Sequence, residues 1–123
     1  MLASAINCNA RGGIVCQAYD GNRLFTTDLI AVDLEAKVAR LASSTDQLRT
    51  GRVIRRGAAY EIAFPALPGA LRLQFRIDPT TGRGERELGG DPALYDPGEP
   101  IAVMRHSLIC TGDLTALSQA AVE

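Results

Sequence analysis

The chain has 123 residues, 46% of them hydrophobic, with a formal net charge of −1, so it is sized for a single domain with its own core. No apolar run approaches the roughly 20 residues that a membrane-spanning helix needs. With no Trp, the core must rest on aliphatics plus three Phe and three Tyr.

At the amino end, Ala3-Ser4-Ala5 has the small-x-small form of a secretory cleavage site. Residues 1–5 therefore read as a signal-peptide remnant, and 2–8 as a first strand. Residues 14–19, IVCQAY, form a short strand that ends at Asp20-Gly21-Asn22, a strong turn signal. Residues 28–42 carry two patterns. A helix would stripe Ile30, Leu34, Val38 and Leu41. Strands would alternate Ile30, Val32, Leu34, Ala36 and Val38 against Ala31, Asp33, Glu35 and Lys37. All three charges then fall on one side, which favours strand, broken near Glu35-Ala36, with a single helix as the alternative.

Polar residues 43–47 make a loop, and 48–56, LRTGRVIRR, a strand ending at Gly57. The clearest signal follows. In AAYEIAF, Tyr60, Ile62 and Phe64 share a face opposite Glu61. In LRLQFRI, Leu71, Leu73, Phe75 and Ile77 share a face opposite Arg72, Gln74 and Arg76. Pro65, Pro68 and Gly69 between them end strands and permit reversal, giving a hairpin. DPTTGRG after Ile77 is a turn, with roles for Pro79 and Gly82. Residues 83–88 read as a polar edge strand, 89–100 as a Pro- and Gly-rich loop, and 101–110 as a last strand. Asp113 is placed to cap a short helix over the tail 113–123, which would otherwise be frayed. Seven to eight short antiparallel strands predict an all-β single domain, a β-sandwich or a small barrel.

Three cysteines are present. Pairing Cys8 with Cys110 would close a loop of about 100 residues and stabilise by up to roughly 4–5 kcal/mol in the chain-entropy model. Cys8 with Cys16 is the competing bridge, and three buried thiols the alternative to both. A bridge would place the protein in the periplasm or outside the cell, and free thiols in the cytoplasm. A small β-rich chain with a cysteine near each end is similar to small periplasmic proteins, including lysozyme inhibitors. GAAY at 57–60 is similar to a segment of the c-type lysozyme inhibitors. Their Ser and Lys pattern and their Trp are missing, so no site residue is carried over.

No catalytic set is visible. His106 is the lone histidine, and as part of a strand it shares an apolar face with Ala102, Met104, Leu108 and Cys110. A zinc site from Cys8, Cys16, Cys110 and His106 lacks the short cysteine spacing such sites use. Asp91, Asp96 and Glu99 do not follow the EF-hand pattern. Gly82-Arg83-Gly84 is no phosphate loop. No cofactor or metal is expected.

The most suggestive group is cationic. Between residues 49 and 86 stand Arg49, Arg52, Arg55, Arg56, Arg72, Arg76, Arg83 and Arg86 against Glu61, Asp78 and Glu85. Lys37 is the only lysine, a bias that reads as genome base composition before it reads as anion chemistry. The sequence leads to a non-enzymatic binding domain that takes another protein or an anionic macromolecule. Its surface would be Arg49, Arg52, Arg55, Arg56, Arg72 and Arg76, or the loop 89–100. Nucleic acid is disfavoured, because no exposed aromatic interleaves with these arginines. The alternatives are a carrier whose cavity is lined by His106 and Tyr60, and an enzyme with His106 as general base.

Overall fold

The computed structural model describes residues 11–43, 49–65, 71–90, 96–100 and 102–121. Eight antiparallel strands close into a barrel: β1 (Arg11–Asp20), β2 (Arg23–Asp33), β3 (Val38–Ser43), β4 (Arg49–Arg56), β5 (Ala59–Phe64), β6 (Arg72–Ile77), β7 (Arg83–Gly89) and β8 (Val103–Gly112). Each strand pairs with its neighbours in sequence, and β1 pairs with β8 to shut the ring. One short helix follows, α1 (Ala116–Ala120). The proposed strand at 2–8 and the signal remnant lie outside the described residues.

Period-two alternation explains the barrel. Leu73, Phe75 and Ile77 on β6 and Ile62 and Phe64 on β5 are fully buried, joined by Ile14, Ile30, Val32, Leu41, Val53 and Leu108 in one core. Phe64 and Phe75 meet edge to face at 6.0 Å. Eight strands leave an interior that side chains can just fill, and here they do. Charged side chains stand on the outward faces of β4 to β8, the reverse of a barrel that faces lipid. No described helix is long and apolar enough to cross a membrane.

Residues 28–42 are strands, and their break is local chemistry. Asp33 Oδ1 accepts from the backbone N–H groups of Glu35 and Ala36, both at 3.1 Å. Lys37 then takes a left-handed conformation, φ 56°, and β3 starts at Val38. The turn resets the alternation: Ile30 and Val32 point inward before it, Ala39 and Leu41 after it.

One end of the barrel is plugged. α1 buries Ala116, Leu117 and Ala120 against the core. Gly12 makes the close approach possible, since a Cβ there would lie 2.3 Å from that of Ala116. Lys37 Nζ donates to the Gln119 carbonyl at 3.1 Å and fastens the far end of the helix. Asp113 is not the cap. Thr115 holds that position without a side-chain cap bond, while the Asp113 carboxylate accepts from the Thr115 hydroxyl at 2.7 Å.

Two further expectations are corrected. β7 is no edge, because β6 and β8 flank it and a closed ring has none. Cys110 is bonded to Cys16 rather than to Cys8, which lies outside the described residues. The register gives the reason: β1 and β8 set Cys16 and Cys110 directly opposite, Cα atoms 4.1 Å apart, both facing inward.

Candidate functional site: the barrel end opposite the helix

The six arginines do not form one cluster. On β4, inward positions alternate from Arg49 through Gly51 to Val53. Arg49 is thereby turned inside, 4% exposed, where it donates to the Leu71 carbonyl. Arg55 has the same parity but stands exposed at the plugged end, its Nε 3.4 Å from the Gly57 carbonyl. Arg52, Arg56, Arg72 and Arg76 do share the outward face.

That face is charge-balanced. Glu61 accepts from Arg56 Nε at 3.2 Å and from Arg76 Nη2 at 2.9 Å. Burial works against its charged form, but the bonds from Arg76 and Arg56 outweigh burial and hold its carboxyl below the usual range. The same contact with Glu61 raises Arg76. Arg105 Nε lies 3.1 Å from Glu87 and 3.8 Å from Glu85. Gln74, Arg76, Glu85, Glu87 and Arg105 line a depression of about 260 Å3 in which both signs alternate. The arginine ends of these pairs are open to solvent and screened, so the pairs set the potential of the face more than its stability.

A different group gathers at the end opposite α1. β7 points Arg86 into the barrel, 2% exposed, and its Nε meets Asp28 Oδ2 across the interior at 2.9 Å; Asp28 is fully buried. Arg86 is the cross-strand partner of both Phe75 and His106. Its guanidinium carbon sits 5.8 Å from the Phe75 ring centre and 5.9 Å from that of Phe25.

Phe25 arrives by a bulge. Ala18 pairs with Thr26 and Tyr19 with Leu24, so Phe25 is the extra residue of β2. Bulges re-aim side chains. This one brings the ring onto His106, centres 4.3 Å apart and planes within 8°. The stack and the cation contact are each worth about 0.5–1.5 kcal/mol.

Three buried polar atoms in this group have no hydrogen-bond partner among the described residues: Asp28 Oδ1, Arg86 Nη1 and His106 Nδ1. Each such atom costs about 1–3 kcal/mol, and native proteins keep few of them. Their concentration at one end, under a ring held by weak contacts, is the least stable-looking chemistry in the barrel and the most suggestive of a role.

Four large apolar side chains are exposed at this end, among polar ones such as Asn22, Arg23 and Arg105. Leu24 is 52% exposed, Phe25 41%, Leu71 46% and Met104 49%. All four lie where β2, β6 and β8 begin, the end at which the described loop residues 96–100 are also exposed. A second apolar band, Val15, Leu29 and Ile109, runs outside β1, β2 and β8, beside a groove of about 560 Å3 bounded by Arg40.

His106 and Tyr60, expected to line one cavity, are set apart: His106 belongs to the rim end of β8, Tyr60 to the start of β5 at the plugged end. Cys16 and Cys110 are bonded to each other and so are not free to bind zinc with His106. Among the described residues no group of His, Cys, Asp and Glu is placed to hold a metal. Sequence reasoning missed Arg86, Asp28 and Phe25. The signal for Arg86 was its parity with Leu88 and Gly84; nothing in the sequence marks the bulge at Phe25. No protein-family model, curated protein or solved structure matches the chain.

Proposed function

We propose that this chain is a binding domain rather than an enzyme, and that its partner is a protein seated on the barrel end opposite α1. The observation that carries this reading is the rim of Leu24, Phe25, Leu71 and Met104, each 41–52% exposed. Large exposed apolar groups collected on one surface mark interaction sites. The described residues 96–100 of the loop 89–100, one of the two surfaces expected from sequence, follow β7 at this same end. The other, the arginine face, is a weaker candidate for an anionic macromolecule, because Glu61, Glu85 and Glu87 are interleaved with its arginines. The carrier reading is weakened by an interior occupied by the protein's own side chains. The buried Cys16–Cys110 bridge supports work in an oxidising compartment, periplasmic or extracellular.

Site-specific photo-crosslinking in living cells tests the proposal. A benzophenone side chain at position 24 or 104 is expected to give one discrete protein adduct. The same group at position 56 on the arginine face, or at 29 on the outer band, is expected to give none. Adducts from 56 or 29 alone, or from no position, refute it.

A further inference from the structure

We propose that the place now held by the Phe25 ring, over His106 and Arg86, is a ligand site for a small, planar, uncharged molecule that carries an amide or lactam edge. This goes beyond docking of a protein at the rim and does not depend on it.

Each property of the ligand follows from a feature of the site. Flatness follows from the Phe25–His106 stack, whose planes lie within 8° at 4.3 Å: the surface exposed when Phe25 swings away is an imidazole face with a guanidinium beside it. Neutrality follows from the pair beneath. Asp28 and Arg86 already cancel, both are buried, and a charged ligand would add an uncompensated charge to a dry interior. The amide edge follows from the unpartnered atoms. Asp28 Oδ1 can only accept while it is ionised, and Arg86 Nη1 can only donate. An amide or lactam offers one donor and one acceptor on adjacent atoms. His106 Nδ1 donates or accepts according to its tautomer, so it completes either orientation.

Entry follows from the bulge. Phe25 has no partner on β1 in the ladder and is 41% exposed. Its ring can leave without breaking a strand pair, and the contacts it gives up are remade by the incoming ring.

His106 is the only histidine, so its carbon-bound ring protons give isolated NMR signals. The test uses the full, oxidised chain and three probes: benzamide, N,N-dimethylbenzamide and benzoate. Benzamide is expected to move the His106 signals saturably. N,N-dimethylbenzamide, which has no N–H for Asp28, and benzoate, which brings a charge, are each expected to bind at least about tenfold more weakly, the loss of one buried hydrogen bond. In a Phe25→Ala variant, where no ring competes, benzamide is expected to bind about tenfold more tightly. Equal binding of all three probes, or no movement of the His106 signals in either protein, overturns the proposal. The probe series needs no variant, so it stands even if Phe25→Ala fails to fold.

Discussion

Replacing Asp28 with Asn strips the countercharge from Arg86 while keeping the volume of the side chain. Arg86 is 2% exposed and Asp28 fully buried, with 2.9 Å between the paired atoms. At a charge separation of roughly 4 Å and an effective dielectric near 20, the attraction lost is about 4 kcal/mol. Breaking a buried pair by removing one partner generally costs about 3–5 kcal/mol, because the remaining ion stays buried. A guanidinium cannot shed its proton to escape. Against a typical total stability of about 5–15 kcal/mol, Asp28→Asn should forfeit a large share of the fold's margin. Arg86→Met alone should also be costly. The double variant Arg86→Met, Asp28→Leu removes both charges and both unpartnered atoms, and it should return to within about 1–2 kcal/mol of the parent or exceed it. Guanidinium unfolding of the oxidised protein, followed by far-ultraviolet circular dichroism, closes the cycle, provided the four slopes agree. A cost below about 1 kcal/mol for Asp28→Asn, or a double variant as unstable as the sum of the singles, would refute the reasoning.

Non-reducing peptide mapping should recover Cys16 joined to Cys110, and Cys16→Ala should lose roughly 4–5 kcal/mol in the chain-entropy model; a Cys8–Cys110 peptide would contradict the register of β1 and β8. Glu61 is held below its ordinary value of 4.5, so the unfolded chain takes up its proton first as pH falls. Its contribution to stability is therefore present above that value and is lost on the acid side of it. Glu61→Gln should flatten the acid limb of the stability–pH curve, and an unchanged limb would mean the two arginine bonds do not persist in solution. Gly12→Val should displace α1 and cost about 1–3 kcal/mol by overpacking, read as lost helix protection in hydrogen exchange; unchanged protection would show that the helix does not seat on β1.

What could be read in advance was whatever the alternation encodes. Leu73, Phe75 and Ile77 announce a buried face without help from the rest of the chain; over 28–42 the same alternation favours strand, but a helical stripe of Ile30, Leu34, Val38 and Leu41 competes with it, and only the Asp33 turn decides between them. β7 shows where that logic stops. Glu85, Arg86, Glu87 read as uniformly polar, yet Arg86 is the inward residue, because Asp28, 58 positions earlier, stands across the interior to receive it. The barrel end was illegible for a similar reason. One extra residue at the bulge turns Phe25 toward His106, and a shift of that kind depends on how β1 and β2 register, not on the identity of the ring. The arginines were legible as strand residues, and four of the six do share a face. Their neutralisation by Glu61, Glu85 and Glu87 depends on which strands lie side by side, which local pattern does not fix.

The ring is shut by two strands whose joined cysteines lie 94 residues apart, whereas every other neighbouring pair is a hairpin between consecutive strands. Hairpins between consecutive strands close short loops, but closure of the ring waits for the last strand. During that interval the nascent sheet has an unsatisfied border along β1, and borders of this kind recruit stray strands from other chains. Prompt arrival of β8 is thus what separates a sealed molecule from an adhesive one, and the covalent link at Cys16 and Cys110 makes the sealing permanent once it has happened.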